Sequence, residues 1–292
     1  MSFLYETIID KSGAIGAEIL GYEGSIKHLM IPELIDGYRV CSIGARAFER
    51  RPDLETVYLP STVSVLKSFA FFDCKELRQI HLYDAVEDYY DGVLKQCPAL
   101  EEIRIRCNRN HMALVKEILA DNDRELTFEL QFADGIARVT FPDYNYDFVE
   151  DTRARAIHHK IEGNGYVYRE CVRKDGIQYL EYDRLFEKTA TETLRTASMI
   201  AINRLKYPYH LGEAAKERYD AFLRKNISEV LNSVISERNM DGIRYLLNQN
   251  YITEEAIQEA LKTASSLRES QICALLMAKQ RDKTAKPKTF SL

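Results

Sequence analysis

"LETVYL" at residues 54–59, "LRQIHL" at 77–82 and "LEEIRI" at 100–105 are one six-residue phrase written three times at a step of 23. Leu54, Leu77 and Leu100 share a column, as do Val57, Ile80 and Ile103, and Leu59, Leu82 and Ile105. Upstream, Ala47, Ala70 and Val93 form another column with Phe48, Phe71 and Leu94 beside it, and Ile43 recurs as Leu66. A fixed period in the twenties, with an L-x-x-V-x-L strand in each copy, predicts a coil of stacked units. The first, fourth and sixth positions point inward, and no copy buries its apolar face alone.

Side chains alternate along a strand, so the residues between the buried columns belong on the open, concave face. With "HLMIP" as the strand of an entry coil, one open row is Met30, Tyr58, His81 and Arg104, and the next is His28, Thr56, Gln79 and Glu102. Parallel strands lie about 4.8 Å apart, which makes each row a near-continuous line of side chains on a stiff sheet. These eight residues are the expected partner-binding surface, because Tyr, His and Arg combine a flat or forked body with a polar end. His81 is not expected to act as a catalytic base, since no nucleophile is suggested beside it.

The stretch "GYRVCSIGARAFERRPDLETVYLPSTVSVLKSFAFFDCKELRQIHL" resembles the BspA-type leucine-rich repeat, whose units run IG-x-x-AF, a polar bend, then L-x-x-I-x-IP. Ile43, Gly44, Ala47, Phe48, Leu54, Val57, Leu59 and Pro60 match that pattern, and "ILGYEGSIKHLMIPELIDGYRV" resembles the family's entry segment. The resemblance covers residues 4 to about 107. It implies a short solenoid with a parallel sheet and, for exported relatives, cell-surface adhesion. The third unit has "YDAVEDYYDGVLKQC" in place of IG-x-x-AF, so its convex side is expected to be distorted.

The phrase is not repeated at 123, where Asp stands in the first apolar position. "HMALVKEILADN" instead predicts an amphipathic helix, and Leu126, Phe128, Leu130 and Phe132 alternate with polar residues before "ADG" and "IARVTF", which predicts a hairpin. Residues 108–142 are read as the cap, giving a solenoid domain over 1–142 and a mainly helical domain over 143–282. Helices are expected near 190–206, 212–225, 227–238, 240–249, 253–264 and 268–280. "MDGIRYLL" and "ESQICALL" align Ile243 with Ile272, Leu246 with Leu275 and Leu247 with Leu276 at a step of 29, which looks like ankyrin-type helix pairs without the T-P-L-H signature. Residues 283–292 are read as a disordered, solvated tail.

The chain has 40 basic and 45 acidic residues, a net charge of −5, and residues 1–107 hold 12 of the former against 17 of the latter. That balance disfavours a phosphate-contacting basic face, so no nucleic acid is expected as a partner. No signal peptide or membrane span is visible, and six cysteines at 41, 74, 97, 107, 171 and 273 fit reduced thiols, so a cytoplasmic location is expected. Cys74 and Cys97 also differ by 23. They are read as small buried apolar groups, with a disulfide as the alternative. No metal site or cofactor is expected: adjacent His158 and His159 point to different sides, and Cys107 with His111 lacks further ligands. No phosphate loop, G-x-S-x-G, H-E-x-x-H or C-x-x-C pair occurs. The expectation is a non-enzymatic module that binds a protein or peptide, with a second copy of the chain as another partner. The alternatives are a hydrolase or transferase near Tyr146, His158, His159 and Cys171, and an adhesion protein.

Overall fold

The three repeated phrases lie side by side. Leu29, Val57, Ile80 and Ile103 are register partners along parallel strands His28–Met30, Thr56–Tyr58, Gln79–Tyr83 and Glu102–Arg106, and each of the four is fully buried. Leu54, Leu77, Leu100, Leu59, Leu82 and Ile105 are buried with them, so the inward columns are those read from the phrase. The structure is a computed structural model and describes residues 2–151 and 156–284, with side chains at 2–145 and 162–281. The chain divides into two compact units, Met1–Leu185 and Phe186–Leu292.

In the first unit each coil crosses from the concave sheet to a second sheet, whose strands Phe3–Ile9, Ile15–Tyr22, Tyr38–Ile43, Val65–Leu66 and Asp88–Tyr89 are neighbours in that order. Two bends per coil carry the chain between sheets, and both need a left-handed backbone. Arg46, Phe69 and Gly92 have φ of 58°, 61° and 73°, and Arg50, Asp73 and Gln96 have 56°, 59° and 60°. The backbone strain therefore keeps the 23-residue period even where the side chains do not. Between the bends, Phe48 N–H donates to Ala70 O at 2.8 Å and Phe71 N–H to Val93 O at 3.0 Å, while the Phe48 and Phe71 rings stack 5.2 Å apart.

The third unit departs from the motif but keeps the path. Val65 pairs Asp88, Leu66 pairs Tyr89, and Val93 and Leu94 are fully buried, so the expected distortion of its convex side is absent from this stretch. The Asp121 carboxylate supplies what the motif lacks. It accepts from the Tyr89 hydroxyl at 2.7 Å, Gly92 N–H at 3.1 Å and Leu94 N–H at 3.2 Å.

Beyond Arg106 the sheet continues with a changed step. Ile103 pairs Phe128 and Ile105 pairs Leu130 in parallel, a step of 25, because helix Ala113–Ala120 replaces the two bends. Asp84, buried, fixes the entry to that helix by accepting from the N–H groups of Asn108, Arg109 and His111 at 2.9, 2.6 and 3.3 Å. Leu126–Phe132 then turns back antiparallel as Gly135–Phe141, the hairpin read from the alternation. The last strand is covered by Tyr182, whose hydroxyl donates to Thr140 O at 2.6 Å and accepts from Thr140 N–H at 3.0 Å.

Residues 143–185 complete the first unit with an antiparallel hairpin, Asn145–Asp151 with Ala156–Glu162, and helices Gly165–Glu170 and Tyr179–Arg184. Buried Arg169 holds this segment to the cap, donating to the carbonyls of Pro142, Gly165, Asn122 and Arg124 at 2.6, 3.0, 3.0 and 2.8 Å. Its guanidinium also lies 4.7 Å from the Tyr144 ring centroid. Burial lowers its pKa to about 10, against the pull of Tyr144 and nearby acids. Gly165 fits because a side chain there would meet Pro142 O at 2.1 Å.

The second unit contains helices Phe186–Glu192, Leu194–Lys206, Glu213–Lys225, Ile227–Ser236, Met240–Leu247, Glu254–Ser266 and Ser270–Thr284. Its last four helices form two helix–turn–helix pairs with the same turn. Arg238 and Arg268 have φ of 56° and 59°, and Asn239 N–H to Val234 O and Glu269 N–H to Ala264 O both measure 2.9 Å. The turns recur at a step of 30, one more than the apolar columns at 243 and 272. A one-residue offset turns a helical side chain by about 100°. At the step of 29, Ile243 with Ile272 and Leu247 with Leu276 are nevertheless buried, whereas Leu246 is buried and its partner Leu275 only half-buried.

Candidate partner-binding face

The register places the two open rows as the alternation predicts: His28, Thr56, Gln79 and Glu102 are partners across the four strands, and so are Met30, Tyr58, His81 and Arg104. The cap lengthens both rows, the first with Thr127 and Thr140 and the second with Glu129 and Arg138. Those extensions were hidden from a search for the 23-residue step, because their strand lies 25 residues on.

The two rows differ in what they leave free. Thr56, expected on the open surface, is buried at 9% exposure, since its short side chain lies below its longer row neighbours. Gln79 and Glu102 are half-buried and bound to each other, with the Gln79 amide nitrogen donating to the Glu102 carboxylate. That carboxylate also takes Arg104 at 3.1 Å and Arg138 at 2.7 Å. The His28 row therefore works mostly as a brace beside the Met30 row. Arg138 reaches Glu129 as well, at 3.0 Å, and Gln131 donates to Glu129 at 2.9 Å.

The brace decides the chemical state of His81. A carboxylate only accepts, so Glu102 fixes the Gln79 amide with its nitrogen toward the acid and its oxygen toward the imidazole. His81 Nε2 lies 2.8 Å from that oxygen and carries the proton. Burial lowers the His81 pKa, Arg104 lowers it further, and Glu102 and Glu129 oppose the shift. The ring is thus neutral at neutral pH and lies stacked on Tyr58, with centroids 4.2 Å apart and planes at 22°. Such a contact contributes on the order of 1 kcal/mol beyond its buried area. Met30 is 69% exposed and Tyr58 37%, so the row presents a methionine, a stacked aromatic pair and a guanidinium.

Beside this row runs a cleft of about 390 Å³ lined by Met30, Tyr58, Tyr83, Arg104, Arg106 and Gln131 among others. Tyr83 and Arg106 belong to a third open row, on the next outward-facing position of their strands, which the repeated phrase did not single out because it ends one residue earlier. A broader depression of about 550 Å³ lies near Lys75, Lys95, Cys97 and Arg124, away from the open rows.

Of the four residues weighed for a hydrolase or transferase site, only Cys171 has a described side chain. Tyr146, His158 and His159 lie outside the residues whose side chains are described. Cys171 is buried, and burial raises its thiol pKa to about 11, opposite to what a nucleophile needs. Burial likewise pushes Cys107 to about 12. All six cysteines are free, and Cys74 and Cys97 are buried, donating to Phe48 O at 3.1 Å and Phe71 O at 3.2 Å. Among the described residues no cluster of three or more His, Cys, Asp or Glu is arranged to hold a metal ion. Tyr207 and Tyr209 are half-buried. Among the described residues no helix is long and apolar enough to cross a membrane.

Comparison with known proteins finds likenesses over part of the chain. Residues 14–114 match the family model "BspA type Leucine rich repeat region" in six copies. A leucine-rich repeat protein from Bacteroides ovatus is 27% identical over 35% of this chain and 30% of its own, with a TM-score of 0.31. The leucine rich repeat protein of T. pallidum is 19% identical over 34% of this chain and 68% of its own, with a TM-score of 0.25. A leucine rich cell surface protein from Faecalibacterium prausnitzii is 19% identical, covering 35% and 43%, also with a TM-score of 0.25. The chain thus spans less than a third of the first of these structures. No curated protein sequence matches it.

Proposed function

We propose that this chain is a non-enzymatic interaction module in which the BspA-type solenoid binds a protein or peptide on its concave face, through Met30, Tyr58, His81 and Arg104. The observation that carries this reading is the stacked Tyr58 and His81 pair, held from the side by Gln79, itself bound to Glu102, with Tyr58 exposed beside a cleft. A pre-set aromatic pair loses little entropy on binding, and aromatic and arginine side chains dominate interface energetics. We further assign the chain to the cytoplasm, on the strength of six unpaired cysteines. The helical unit serves in this reading as a second array of helix pairs. Replacement of Tyr58, His81 and Arg104 together by alanine is expected to abolish capture of the partner recovered with the native protein, with the fold kept, as read by circular dichroism, and a modest loss of thermal stability from the lost stack and ion pair. Full capture by that variant removes the concave-face assignment. Fractionation of native cells tests the location, and recovery of the intact chain at the cell surface removes it.

A further inference from the structure

We propose that the occupant of the concave cleft is an extended peptide segment carrying a carboxylate next to an aromatic or branched aliphatic side chain. The inference rests on the concave-face reading and adds the chemistry of the partner. Three arginines and two carboxylates face this side of the sheet. Glu102 is taken by Gln79, Arg104 and Arg138, and Glu129 by Arg138 and Gln131. Both acids are thereby ion-paired within the protein. Arg106 is exposed, and its guanidinium makes no ion pair or hydrogen bond among the described residues. It stands at the cleft with Arg104 two residues before it on the same face of one strand, about 6.6 Å along the chain. A carboxylate set between them meets two guanidinium groups, one of which has no competing acid.

The opposite side of the cleft asks for apolar surface. Met30 and Tyr58 are exposed, and Tyr83 is half-buried beside them. From the strand of Met30 to that of Gln131 the cleft crosses five neighbouring strands, about 19 Å, which an extended peptide covers in about six residues. A basic surface is unexpected in a region with 12 basic and 17 acidic residues, so the charge here is local and complementary to an acidic side chain.

The test uses the full chain and a phage-displayed library of random dodecapeptides. Enrichment of sequences with Asp or Glu within two residues of an aromatic or aliphatic side chain is expected. A synthetic copy of an enriched peptide should lose at least tenfold in affinity against Arg106→Glu, regain affinity for that variant when its own acid is changed to Lys, and bind more weakly as salt is raised. Arg106 is exposed, so the variant is expected to keep the melting temperature of the parent. No enrichment, enrichment of basic or uncharged peptides, or affinity within twofold for Arg106→Glu overturns the proposal. If the alanine triple variant loses the native partner while the selected peptides lack an acid, the concave-face reading stands and this inference alone falls.

Discussion

The Phe69 ring occupies the space that a side chain at Gly92 would need. Both residues stand at the same left-handed bend on successive coils, and a β-carbon at 92 would lie 2.5 Å from Phe69 Cε1. Phe69 accepts a costly backbone conformation, and its ring then forbids any residue but glycine one coil later. Gly92→Ala is therefore expected to destabilise the first unit by about 2 kcal/mol. In the Phe69→Ala background the same change should cost about 1 kcal/mol less, because the obstruction is gone. Urea unfolding of the four proteins of this cycle measures the coupling, and additive effects would show that the ring yields without cost.

Arg169 should be intolerant of a conservative change. One ammonium cannot serve four carbonyls spread over Asn122, Arg124, Pro142 and Gly165. Arg169→Lys is expected to lose about 3 kcal/mol, the cost of leaving one or two buried acceptors unpaired. The check is the denaturation midpoint, and a shift too small to separate the two proteins would refute the latch.

Asp53 sets an acid limit on stability. Burial works against its charge, but Ile26 N–H, the Ser25 hydroxyl and Arg51 outweigh it and lower its pKa from 3.8 to about 2. A lowered carboxyl pKa stabilises the fold above the unfolded value, and this contribution disappears as pH falls through the folded value. Asp53→Asn should thus cost about 2 kcal/mol at pH 7, with the difference from the parent shrinking between pH 4 and pH 2. Stability followed across that range by circular dichroism tests it, and a constant difference would count against the assignment.

Thiol chemistry should divide the cysteines five to one. Cys41, Cys74, Cys97, Cys107 and Cys171 are buried, whereas Cys273 is half-buried. Under native conditions a disulfide reagent is expected to titrate Cys273 first, and all six only after denaturant is added. Rapid loss of two or more native thiols would contradict the burial.

The parts of the molecule that were legible in the sequence are those where a physical constraint recurs. Leu54, Leu77 and Leu100 announce the coils because stacking needs an apolar residue at the same place each time. The helices of the second unit follow from apolar spacing broken at Pro208, Gly212 and Asn250. What escaped reading depends on single contacts without period. Arg169 is one arginine among 40 basic residues until the fold encloses it, and nothing in "GYVYREC" marks it. Asp121 restores a bend whose motif is lost, yet it is 27 residues from the Leu94 amide that it binds. Of the open rows, alternation located Tyr58, His81 and Arg104, but it could not reveal that Thr56 is covered or that Glu102 is already engaged. Both facts depend on side-chain length and on strands contributed by the cap.

Tyr182 also gives the concave sheet a direction. It takes both backbone polar groups of Thr140 in the final strand, while among the described residues His28–Met30 at the other end has a strand neighbour on one side only. The two edges of the sheet therefore differ in how far their backbone is already engaged.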